Sequence, residues 1–87
     1  MASSVRVSIS YCAECGYEPQ TLALTDALMR EFGASLSAIE LVPWRDGAFD
    51  VSVDGDVVHS AYRDGGFPRR EDVVRAVRER LAAKAKG

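Results

Sequence analysis

The chain has 87 residues, 47% hydrophobic and 28% charged, enough for one small globular domain over residues 1–87 and too apolar for a wholly disordered chain. Its net charge is −2, and nucleic-acid binding needs a concentrated positive surface that this sequence lacks. No apolar run approaches the roughly 20 residues of a membrane span, so neither a nucleic acid nor a membrane is an expected partner.

Val5, Val7, Ile9 and Tyr11 alternate with Arg6, Ser8 and Ser10, the period of a half-buried strand. Met1 to Ser4 leads straight into it, without the basic, apolar and cleavage regions of a secretory leader. The expected compartment is therefore the cytoplasm, where a static structural disulfide is unusual. The segment Tyr11-Cys12-Ala13-Glu14-Cys15-Gly16-Tyr17 follows the strand. A helix is predicted to start near Pro19, because proline suits a first helical turn and holds Glu18 extended. Leu24, Leu28 and Phe32 form its stripe, with Leu22 and Met29 beside them on one broad buried face. Gly33 is a natural stop.

A second strand is predicted over 37–42, with Ile39 and Leu41 inward, followed by a loop from Pro43 to Gly47. Phe49, Val51 and Val53 alternate with Asp50, Ser52 and Asp54 as a third strand. Asp54-Gly55 predicts a type I′ hairpin turn, which needs positive φ at both positions. The fourth strand is predicted over 57–61, then a flexible loop from Arg63 to Gly66, closed by Phe67-Pro68. A last helix is predicted over 69–83 with the stripe Val73, Val74, Val77 and Leu81, and residues 84–87 are expected to fray. Arg69, Arg70, Arg75, Arg78 and Arg80 are interleaved with Glu71, Asp72 and Glu79, the pattern of a solvated, ion-paired face.

The order β-α-β-β-β-α has two helices for four strands, and the alternating strands have one apolar face each. Both helices should cover one face of a mixed sheet, with a right-handed parallel first crossover. This is the minimal two-layer, thioredoxin-like α/β arrangement, with strand order 2-1-3-4.

Cys12 and Cys15 are the candidate catalytic residues. Thiol–disulfide exchange needs a thiolate, access and a second thiol to resolve the mixed disulfide, and Cys-x-x-Cys supplies the last. A helix N-terminus lowers a thiol pKa. Cys15 lies nearer to it, which favours Cys15 as the attacking thiol; Glu14 and Glu18 oppose acidification. In thioredoxin the N-terminal cysteine attacks, which leaves Cys12 open as the alternative. Cys-x-x-Cys pairs also bind zinc, but a closed site needs about four ligands. With two cysteines and one histidine in the chain, zinc requires a dimer sharing two pairs. No bound metal or cofactor is expected.

The order and spacing of several segments carry a family likeness. They are Tyr11-Cys12-x-x-Cys15-Gly16-Tyr17 after a short strand, Gly47-Ala48-Phe49-Asp50-Val51, Asp54-Gly55, Val58-His59-Ser60, and the glycine loop before Phe67-Pro68. In these the chain resembles the selenoprotein W, T and H (Rdx-type) family, closest to selenoprotein W, over nearly its whole length. The resemblance implies a thioredoxin-like fold and places Cys15 where selenocysteine stands in the selenium-containing members, with Cys12 as the resolving thiol. It implies a redox protein of oxidative-stress defence, with glutathione or a thiol/disulfide protein as co-substrate or partner. Sulfur in place of selenium implies a weaker peroxidase.

Other residues have two readings each. His59 is a structural histidine or a proton donor to the cysteines. Trp44 packs over the sheet edge or meets a partner. Tyr11 and Tyr17 pack at the rim or line a peptide or glutathione site. Phe67-Pro68 fixes the start of the last helix or neighbours the cysteine loop. Gly65-Gly66 lacks the pattern and lysine of a phosphate loop. Two functions compete: a thiol–disulfide oxidoreductase, and a binding module whose open sheet face docks a protein under redox control without turnover.

Overall fold

The computed structural model describes residues 4–86. The leader and fraying expectations extend to Met1–Ser3 and Gly87, which lie outside the described residues. Strands β1 (Val5–Cys12), β2 (Leu36–Trp44), β3 (Phe49–Val53) and β4 (Asp56–Ser60) form one sheet of order β2-β1-β3-β4. β1 pairs parallel with β2 and antiparallel with β3, and β3 pairs antiparallel with β4. Helices α1 (Glu18–Phe32) and α3 (Arg70–Lys86) are the long helices, and a single turn, α2 (Ala61–Asp64), follows β4. Among the described residues, no helix is long and apolar enough to cross a membrane.

The alternation in β1 and β3 does what its period requires. Val5, Val7, Ile9, Phe49, Val51 and Val53 point to one face, where Leu24 and Leu28 of α1 and Val73 and Val77 of α3 complete a single core. The two helices therefore cover one face, and Arg6, Ser8, Ser10, Asp50 and Ser52 occupy the other. The Asp54-Gly55 turn has φ of 52° and 88°, as a type I′ turn demands.

Several expectations are corrected. β2 continues through Pro43 and Trp44, which were expected in a loop. It is an edge strand, where the missing N–H of proline costs no ladder bond. Leu41 shares the helix-side face with its partner Ile9, yet it is 37% exposed at that edge. Leu22 and Met29 are exposed at 58% and 60%, so the buried face of α1 is narrower than expected, and Thr21 is buried in it. The Thr21 hydroxyl is satisfied by donating to the Tyr17 carbonyl at 2.9 Å.

Ala61 and the supposed loop residues Arg63 and Asp64 instead form α2. Ser60 caps it reciprocally: its Oγ accepts from the Arg63 N–H, and the Asp64 carboxylate accepts from the Ser60 N–H. α3 runs three residues past its expected end, to Lys86. Lys84 is held there, its Nζ donating to the Ser4 carbonyl at 2.6 Å and lying 2.8 Å from Asp54. Three arginines of α3 are ion-paired, Arg75 with Asp72, Arg78 with Glu31 and Arg80 with Asp56.

The β2–β3 connection positions the site. It runs from Arg45 to Ala48, closed by the Ala48 N–H donating to the Arg45 carbonyl at 3.2 Å. Asp46 and Gly47 at its tip both take positive φ, 62° and 75°. The strands it joins do not pair, because β1 lies between them. The turn therefore passes over the C-terminal end of β1, where the cysteines begin.

Candidate functional site

Cys12 closes β1 and is fully buried. Its N–H donates to the Ala48 carbonyl at 2.8 Å, and the next N–H, of Ala13, donates to the Trp44 carbonyl at 3.0 Å. The start of the cysteine turn is thus held from both sides by the two ends of the β2–β3 connection. Glu14 adds a third tie, its Oε2 accepting from the Asp46 N–H at 3.3 Å. That places its carboxylate on the crossing turn.

The turn itself is tight. The Gly16 N–H donates to the Ala13 carbonyl and the Tyr17 N–H to the Cys12 carbonyl, at 3.2 and 3.3 Å. Gly16 adopts φ of 78°, a conformation that costs a residue with a Cβ about 1–2 kcal/mol. The result brings Cys12 and Cys15 to disulfide distance, with Cα atoms 5.2 Å apart and sulfurs joined at 1.99 Å. Cys15, unlike Cys12, is exposed. α1 begins three residues after Cys15, and no side chain caps its first turn. The uncapped N–H groups carry the positive end of the helix dipole, which favours negative charge nearby.

An aromatic rim lies on the α1 side. Phe67 packs edge-on against Tyr17 and against Phe49, with ring centroids 4.9 and 5.0 Å apart. Phe67-Pro68 is therefore a neighbour of the cysteine loop as well as the lead into α3. Beyond it opens a cleft of about 410 Å³, lined by Gln20, Leu24, Phe49, Phe67, Pro68 and Arg69 among others. Tyr11 and Tyr17 are half-buried and pack on the core. On the β2 side Trp44, in register with Cys12, is 55% exposed, with the Arg45 guanidinium 5.2 Å from its ring. The indole is thus not packed away over the sheet edge, the role first expected of it.

His59 is not brought to the cysteines. It is buried on β4, its Nε2 2.8 Å from the Gly66 carbonyl and its Nδ1 3.7 Å from the Asp64 carboxylate. It steadies the glycine loop that carries Phe67. Asp64 is held at about 2, first by the Arg63 hydrogen bond and then by the Ser60 N–H. Among the described residues, no group of three or more His, Cys, Asp or Glu side chains is placed to hold a metal ion.

The sequence reading gave no site role to Ala48, Asp50 or Tyr62. Ala48 matters through its carbonyl, which no side-chain pattern reveals. Asp50 reads as an ordinary outward strand residue. The Tyr62 phenol is held above the usual tyrosine range by partial desolvation, with the charges of Asp46 and Asp50 and the Tyr17 phenol adding to it.

The Rdx family model matches residues 6–79. Mouse selenoprotein W is 38% identical over 87 residues, covering 94% of this chain and 97% of that protein. Bovine migration and invasion enhancer 1 is 34% identical over 74 residues, and the alignment spans 85% of this chain but only 63% of that longer protein. A crystal structure from Bordetella parapertussis superposes with a TM-score of 0.85 at 31% identity, covering 90% of this chain and 99% of that one. A selenoprotein W-related protein from Vibrio cholerae gives the same TM-score at 23% identity and supports the fold alone. Since the match runs from β1 through the cysteine turn and into α3, the chain belongs to the redox-associated Rdx family, with selenoprotein W among its relatives.

Proposed function

We propose that this chain is a small thiol–disulfide redox protein in which Cys15 attacks and Cys12 resolves. The observation that carries the proposal is the asymmetry of the pair: Cys15 is exposed, Cys12 is fully buried, and both lie at disulfide distance ahead of an uncapped helix. An incoming disulfide reaches only the exposed sulfur. The Cys15 thiolate attacks one substrate sulfur, forming a mixed disulfide and expelling the other sulfur as thiolate. Cys12 then attacks the Cys15 sulfur, the second substrate thiolate leaves, and the Cys12–Cys15 disulfide remains. Two electrons pass to the substrate. Two equivalents of a monothiol such as glutathione, or one dithiol protein, return them.

Glutathione linkage, a role in oxidative-stress defence and a cytoplasmic setting belong to this proposal. The family relation and the Cys15 position support them. A redox titration of the pair in graded glutathione buffers, read by alkylation and mass, tests it. The expected result is a reversible intramolecular disulfide with a midpoint of roughly −200 to −300 mV. Cys15→Ser should abolish turnover, and Cys12→Ser should accumulate the mixed disulfide. Turnover that survives Cys15→Ser refutes the assignment.

The exposed indole of Trp44 beside Cys12 and the exposed rings of Tyr62 and Phe67 favour a second reading. In it the surface docks a protein and the cysteines switch that docking. Affinity that differs between reduced and oxidised protein, with negligible turnover, would select it.

A further inference from the structure

We infer that Asp50 is the proton acceptor for Cys12 when that thiol closes the disulfide, an assignment that rests on the dithiol reading above. Cys12 is fully buried, so its proton has no direct route to bulk water. A resolving thiol in that position needs an acceptor beside it.

The β1–β3 register supplies one. Ser10 lies opposite Asp50 and Tyr11 opposite Phe49, and the Cys12 N–H bond to Ala48 continues the same ladder. Side chains alternate along a strand, so Ser10, Cys12, Ala48 and Asp50 belong to one face, the one no helix covers. Cys12 and Asp50 are diagonal neighbours across that pair, about 7–8 Å apart at the backbone and closer at the side-chain ends. Consistently, Cys12 is buried without belonging to the cluster that fills the opposite face.

One oxygen of the Asp50 carboxylate is also without a donor. Its Oδ1 is buried and has no hydrogen-bond partner among the described residues. Asp64 differs, since it takes Arg63 and the Ser60 N–H; Asp54 Oδ2 is likewise buried without a hydrogen bond, but there the Lys84 ammonium lies 2.8 Å away. A buried carboxylate oxygen without a donor is costly. The register sets this carboxylate on the same sheet face as Cys12, one diagonal step from it across the β1–β3 pair. The other charged or titratable groups near it come from α2 and the crossing turn. They are Tyr62, with Asp46 and Tyr17 around it, and Arg63, whose guanidinium is engaged first by Asp64. Ser10 and Ser60, its strand partners, do not titrate.

The step balances. The Cys12 thiol gives its proton to the Asp50 carboxylate, and the resulting thiolate attacks the Cys15 sulfur. The bond from Cys15 to the substrate sulfur breaks, its electron pair leaves on that sulfur, and Asp50 returns the proton to the departing thiolate or to water.

The test uses the full chain, reduced and mixed rapidly with 5,5′-dithiobis(2-nitrobenzoate). Modification of Cys15 releases one coloured thiolate in a phase that scales with reagent concentration. Attack by Cys12 releases the second in a concentration-independent phase. In Asp50→Asn the second phase should slow about 10- to 100-fold near neutral pH while the first is unchanged. The gap should narrow as pH rises and hydroxide takes over the deprotonation of Cys12. Asp50→Glu should restore part of the rate. Asp50→Ser should repeat the Asn result and replaces that variant if it does not fold. A second phase of wild-type rate in both variants, or one slowed equally at every pH, overturns the assignment. If the wild-type protein shows no second phase, the dithiol reading fails and this one with it.

Discussion

Asp54 holds a φ of 52° in the β3–β4 turn, while its carboxylate accepts from the Arg6 N–H at 2.9 Å and lies 2.8 Å from the Lys84 ammonium. These contacts, the Arg6 N–H foremost, keep its pKa below the ordinary aspartate value. A depressed folded-state pKa contributes stability above the unfolded-state value, lost as pH falls through the folded one. Urea unfolding should therefore show stability declining below about pH 4. Asp54→Asn keeps an acceptor and tolerates the positive φ, so it should remove only the charge. It should cost on the order of 1 kcal/mol at pH 7 and almost nothing near pH 2. The turn was legible, because Asp-Gly at a strand end specifies it. The tie to Lys84 was not, since it depends on where α3 passes. Cys12 and Cys15 were legible from spacing, whereas the burial of one and exposure of the other came from the crossing turn.

At the scale of the element, α1 shows how a hydrophobic list can overstate a buried face. At about 100° per residue, Thr21, Leu24, Leu28 and Phe32 fall within one narrow arc, and Leu22 and Met29 stand well round from it. Thr21 is buried because its hydroxyl bonds back to the preceding turn, a possibility that an apolar count ignores. Leu28→Ala should cost about 2–5 kcal/mol in chemical denaturation, and Leu22→Ala should stay within about 0.5 kcal/mol. Equal losses would mean that the face is misassigned. β2 was read short because proline signals a loop, but an edge strand tolerates it. α2 has four residues, too few to show a period; its signal was the capping pair Ser60 and Asp64.

For the whole molecule, the strand order followed from element order and one-sided alternation, and the order β2-β1-β3-β4 agrees with it. What the order left unstated is that the sole tryptophan stands beside Cys12. Trp44 emission should rise when the disulfide is reduced, because a neighbouring disulfide quenches an indole. The rise should vanish when both cysteines are replaced by serine. A signal that persists there would trace to something other than the pair.

The short connection from Arg45 to Ala48 looks like a hairpin, but another strand is threaded between its arms. Its arms cannot zip together on their own, as a local hairpin would. β3 can pair locally with β4, but β2 gains its ladder, and β3 its second one, only once β1, more than thirty residues away in the chain, has been laid between them, and closing such a separation is slow. Docking of β1 therefore completes the sheet and builds the cysteine turn in one event. Any chain that has reached the native topology has, by the same act, armed its sulfurs.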